Sequence, residues 1–113
     1  MKSRYGEIPQ TQLEGYKVQL HKELFWLLVY KDPKTVEQYK DVDVKKYITF
    51  LVKKLSGLNE LLNCPPQLIG LMAYLEAAKL ELDNTPFDYR AYRKLVLDAH
   101  SLLDELGCAH ESA

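Results

Sequence analysis

The sequence predicts an all-α, single-domain four-helix bundle, and three observations carry that expectation. Apolar residues recur at spacings of three and four through most of the 113-residue chain. No stretch alternates with period two long enough to make a strand. Proline, aspartate and glycine fall at a few places that divide the chain into segments of roughly 20 residues, each about 30 Å long as a helix. The connections after the second and third segments are short, so those neighbours should be antiparallel and up-down-up-down is the economical topology. A chain of this length buries roughly two thirds of the surface its unfolded form exposes, enough for one core without staples.

Residues 1–10 read as an N-terminal arm and 11–107 as the bundle. In "PQTQLEG", Thr11 and Glu14 have the spacing of a capping box, which starts the first helix near Gln12. It should run to Lys31, because Asp32 precedes Pro33 and the residue before proline disfavours helix. The connector 32–43 has room for one short turn after Pro33, and it could reach either an adjacent or a diagonal position in the bundle. A second helix over 44–63 follows Asp41 or Asp43. Its Val44, Ile48, Leu51, Leu55, Leu58 and Leu62 alternate in fours and threes, the seam of helices packed near 20°. Pro65 and Pro66 suit the first turn of a third helix over 66–82, with Leu68, Leu71, Met72, Leu75, Ala78 and Leu82 inward. Asp88 is the expected N-cap of a fourth over 89–106, with Tyr92, Leu95, Val96, Ala99, Leu102, Leu103 and Leu106 buried and Gly107 at the left-handed C-terminal position. The tail 108–113 should fray.

The first helix does not fit the two-faced pattern. In "ELFWLLVYKD", seven apolar side chains run consecutively from Leu24 to Tyr30. At 100° per residue, Leu13, Tyr16, Leu20, Leu24, Leu27 and Leu28 share a core face, while Val18, Phe25 and Val29 fall nearly opposite with Trp26 beside them. On the second helix Phe50 likewise stands off the seam. Three readings fit this second face. A helix at the centre of an irregular bundle is apolar all round. The arm or the connector, through Tyr5, Ile8, Val36 or Tyr39, covers it; or it is a protein interface, since exposed Trp, Phe and Tyr are the anchors such surfaces use. Self-association as a homodimer is then the simplest form, because most oligomers are homo-oligomers.

Composition narrows the function. The apolar run is far short of the roughly 20 residues that span a bilayer, and "MKSRYGEIPQ" lacks an apolar signal core, so a cytoplasmic protein is expected, with Cys64 and Cys108 as free thiols. The net charge of −1 gives no overall pull toward nucleic acid. Charge is uneven, however: residues 1–57 hold 11 Lys or Arg against 7 Asp or Glu, and the remainder 4 against 9. Two halves lying against each other would neutralise those fields; a charged docking face is the alternative. Lys45, Lys46, Lys53 and Lys54 form a basic strip on the second helix. It fits a solubilising outer face, and nucleic-acid binding through it is the rarer use.

Catalytic signatures are sparse. There is no glycine-rich phosphate loop and no Glu-x-x-His, and with three histidines no cofactor or metal centre is expected. In "RKLVLDAH", Arg93 and His100 lie seven apart on one side of the fourth helix, with Tyr89 and Asp104 along the same strip. This spacing resembles the Arg-x(4 to 6)-His signature of HEPN ribonucleases, helical bundles that dimerise to form their active site. The resemblance implies His100 as a general acid or base and Arg93 as a phosphate contact. The same residues also fit a solvated helix face. The expected function is therefore a non-enzymatic protein-binding module of the small inhibitor, immunity or adaptor type, working through Val18, Phe25, Trp26, Val29 and Phe50, with HEPN-like cleavage and nucleic-acid binding as alternatives.

Overall fold

Aspartates open two of the four helices. In the computed structural model, which describes residues 2–107, the helices are α1 (Gln10–Lys31), α2 (Val44–Leu61), α3 (Pro66–Glu81) and α4 (Tyr89–Glu105). The Asp43 carboxylate accepts from the Lys46 amide, and that of Asp88 from the amides of Arg90 and Ala91, each satisfying donors that a helix start leaves orphaned. Pro65 caps α3 with Pro66 at its first position, α1 stops at Asp32, and Gly107 takes φ +71° after α4. The connector carries a single 3-10 turn, Val36–Tyr39.

One local expectation is corrected. Helix α1 begins two residues early, after Pro9, with no side-chain cap; Thr11 lies inside the first turn, and Glu14 instead accepts from the Gln10 side chain at 2.9 Å. Proline at the cap position already presets the chain direction, so the box is not needed. The N-terminal arm closes on itself as a short hairpin. Lys2–Ser3 (β1) pairs antiparallel with Gly6–Glu7 (β2), Gly6 taking φ +119° in the turn, and the Arg4 amide donates to the Leu61 carbonyl at the end of α2. Strands of two residues are too short to show a period. The tail 108–113 lies outside the described residues.

The predicted seams form the core. Leu13, Leu20, Leu24 and Leu27 of α1 meet Val44, Ile48, Leu51 and Leu55 of α2, Leu68, Leu71, Leu75 and Ala78 of α3, and Tyr92, Val96, Ala99 and Leu103 of α4 in one buried cluster. All sequential neighbours are antiparallel. Glu23 of α1 pairs with Lys54 of α2, Lys45 of α2 with Asp83 just beyond α3, and Gly70 of α3 faces Leu102 of α4. The connector therefore delivers α2 beside α1, and the basic half of the chain does meet the acidic half.

One core member carries a charge. Lys17 sits four residues after Leu13 and three before Leu20, on the buried stripe, and is 8% exposed. Its ammonium donates to the carbonyls of Asp104 (3.1 Å) and Leu106 (2.9 Å), acceptors that the end of α4 cannot satisfy internally. A cation at a helix C-terminus also complements the macrodipole. Glu14 lies 3.9 Å away and adds little. Lys17→Met, which keeps the stem and removes the charge, should cost about 1 to 3 kcal/mol by taking the donor from the buried Leu106 carbonyl. Glu14→Ala should cost far less, both read from urea midpoints at unchanged slope.

Candidate protein-binding face

The register of α1 against α4 decides which residues of α1 face outward. Polar contacts run along that seam. The buried Tyr92 hydroxyl donates to the Leu27 carbonyl at 2.8 Å, His21 meets His100, and Lys17 closes the far end. Burial, with a further contribution from Tyr89, holds the Tyr92 hydroxyl well above its ordinary pKa, so it stays a donor. With Leu20, Leu24 and Leu27 turned inward, Val18, Phe25 and Trp26 are left outside, 53%, 55% and 40% exposed.

Trp26 is nonetheless held. Its ring packs against Tyr30 (centroids 5.7 Å apart) and edge-on to Tyr39 of the connector turn (5.9 Å), and Tyr30 in turn meets Tyr47 of α2 (5.6 Å). Phe25 lies edge-on to Trp26 at 6.3 Å. These are favoured aromatic geometries. The connector thus covers one edge of Trp26, while the N-terminal hairpin lies at the end of α2 and leaves Tyr5 84% exposed. Val29 is only half exposed, and its carbonyl accepts from Thr35 Oγ1 of the connector at 2.5 Å. Phe50 is 58% exposed on α2. Among the described residues no ring contact joins it to Phe25 or Trp26.

Beside Phe25 and Trp26 is a cavity of about 380 Å³ whose other walls are His21, Lys22 and His100. The two imidazoles stack 5.1 Å apart with Nδ1 to Nδ1 at 2.9 Å, and His21 Nε2 lies 2.8 Å from Asp104 Oδ1. Burial, then His21, holds His100 below the usual imidazole range, against a smaller opposite pull from Asp104. His100 was singled out in the sequence with Arg93; the structure gives it His21 as its neighbour. Arg93 is exposed two turns earlier on α4, where its charge acts on Tyr89, and among the described residues no hydrogen bond joins it to His100. A contact across 79 residues leaves no local spacing to read.

A second cavity, of about 360 Å³, separates α1 from α2 at the hairpin end, between Tyr16, Leu20, Leu55, Gly57, Leu58 and Leu61. The basic strip divides. Lys45 is tied to Asp83 at 2.8 Å and Lys54 to Glu23 at 2.8 Å, while Lys46 and Lys53 are exposed. Among the described residues no group of three or more potential ligands could hold a metal ion, and no helix is long and apolar enough to cross a membrane. No family model, curated protein or solved structure matches this chain.

Tyr47 links the ring cluster to α2 and donates to the Glu23 carbonyl at 3.2 Å. Burial, followed by the charge of Glu23 and by Tyr30, pushes its hydroxyl up from 10.0 to about 12. A raised tyrosine favours the protonated folded state, so its contribution is whole below the unfolded value and is lost as pH climbs. Stability should fall between pH 10 and 12, with a shallower fall in Tyr47→Phe, measured as urea midpoint against pH.

Proposed function

We propose that the chain is a non-enzymatic protein-binding module, of the small inhibitor, immunity or adaptor type, whose binding surface is the outer face of α1. The observation that carries this reading is the exposure of Phe25 and Trp26 on a helix whose rotation is set by buried contacts. Leaving a large apolar side chain in water forgoes about 1.5 to 3 kcal/mol of burial. Contiguous exposed aromatics on a rigid element are the chemistry of interface anchors. Here the rings are also pre-positioned, Trp26 by Tyr30 and Tyr39, so docking would order few rotamers.

The form proposed is a homodimer in which α1 packs against its symmetry mate, since one self-complementary face then serves both sides. A cytoplasmic setting accompanies the reading, with Cys64 exposed and unpaired. Light scattering across a concentration series tests it. The wild type should pass from dimer to monomer on dilution, and Phe25→Glu should be monomeric throughout with its thermal midpoint unchanged. A loss of stability of about 2 kcal/mol or more in Phe25→Glu, the size of a core defect, would show that the face belongs to the fold and would sink the reading. A wild type that is monomeric at every concentration removes the homodimer and leaves a different protein as the partner.

A further inference from the structure

We propose that His21 and His100 form a one-proton latch between α1 and α4, which opens when both rings are protonated and thereby couples the Phe25 and Trp26 face to pH. A contact of 2.9 Å between two Nδ1 atoms needs one N–H and one lone pair. The Asp104 carboxylate, 2.8 Å from His21 Nε2, calls for the proton on that nitrogen. With both rings neutral, His100 Nδ1–H donates to His21 Nδ1. With one proton added, His21 is the imidazolium and donates to His100 Nδ1, whose own proton moves to Nε2. Both states keep the contact. A second added proton sets two N–H groups and two positive charges head to head, and no tautomer rescues it.

The groups facing this pair come from the two helices that meet there. Helix α1 supplies His21 and Lys22, with Lys17 one turn away on the α4 terminus; α4 supplies Asp104. Lys22 adds a third positive charge to the cavity, and the Asp104 carboxylate offsets it. Burial of His100 and the charge of His21 oppose the second proton, which places the opening below the ordinary histidine value of about 6.5. The rings are two walls of the cavity that Phe25 and Trp26 complete, and His21 precedes Phe25 by one helical turn. Separating them moves the base of the aromatic face. That a bound partner would feel this rests on the reading of the face as a binding surface; the latch itself does not.

Trp26 is the only tryptophan and reports on the cavity directly. Between pH 8 and 5 the ring signals of His21 and His100 in ¹H–¹³C spectra should show two successive proton uptakes, with the Trp26 indole shift and emission following the second, at a midpoint below 6.5. Far-UV circular dichroism should stay constant across the step. His100→Gln and His21→Gln each retain an amide that can bond the remaining imidazole and each remove one proton site, so the Trp26 step should vanish in both. A step that survives in either variant would be an ordinary single-histidine effect and would overturn the latch, as would a Trp26 signal in the wild type that is flat or follows the first uptake. None of these readouts needs a partner, so failure here is distinguishable from failure of the α1 interface.

Discussion

The seam between α1 and α4 is held in one register by polar contacts set along an otherwise apolar interface. Leucine stripes alone would tolerate a slip of one turn, about 5.4 Å, because each knob would find an equivalent hole. Buried polar groups would not. A slip would strand the Tyr92 hydroxyl, the Lys17 ammonium and the His21 and His100 ring nitrogens away from their partners, each at a cost of about 1 to 3 kcal/mol. The Lys17 and Tyr92 contacts join side chain to backbone, so they fix where each helix ends relative to the other. The α1 rotation follows, and with it the identity of the residues that remain outside.

Coverage of α1 is uneven around its circumference. Helix α4 takes the inner face along the whole length. On the α2 side, the contact is dense at one end, where Tyr30, Tyr39 and Tyr47 interlock, and opens at the other into the cavity floored by Leu20 and Leu55. Glu23 sits between, accepting from Lys54 and, through its carbonyl, from Tyr47. Aromatic rings interlock at the connector end, beside the turn over Val36–Tyr39; at the hairpin end, where Gly57 carries no side chain, the cavity remains. The exposed pair of rings thus rests on the well-packed end of the helix.

Much of this architecture is legible in the sequence because it is encoded locally. Asp43, Asp88, Pro66 and Gly107 act within a turn of their own backbone, so helix limits follow from neighbours in the chain, and the apolar seams follow from period. The second face of α1 is visible in the same way, from Val18, Phe25 and Trp26 falling opposite Leu24. What escapes is whatever depends on another helix. Lys17 falls on the core stripe by its spacing from Leu13 and Leu20, a signal that could have marked it as buried, but its partners are carbonyls almost ninety residues away. The His21 and His100 contact has no local trace at all; the spacing that marks His100 within α4 is the one to Arg93. Thr11 and Glu14 show the opposite failure: a valid local pattern made redundant by Pro9 just before it.

The outer rings of α1 stand outside the buried cluster. Phe25 is not among its members, and Trp26 meets Tyr30, which packs against it. Helix α4, by contrast, is cleanly two-faced, with its apolar residues inward and Arg93, Lys94 and Ser101 outward. Two helices packed against each other in one fold therefore follow different surface rules. A rule set by solubility alone would apply to both. The register of α1 is fixed against α4 by hydrogen bonds, so its apolar surface is presented in a defined orientation. Rigid presentation lowers the ordering cost of docking, which is the physical argument for proposing the face of α1, rather than the basic strip of α2, as a binding surface.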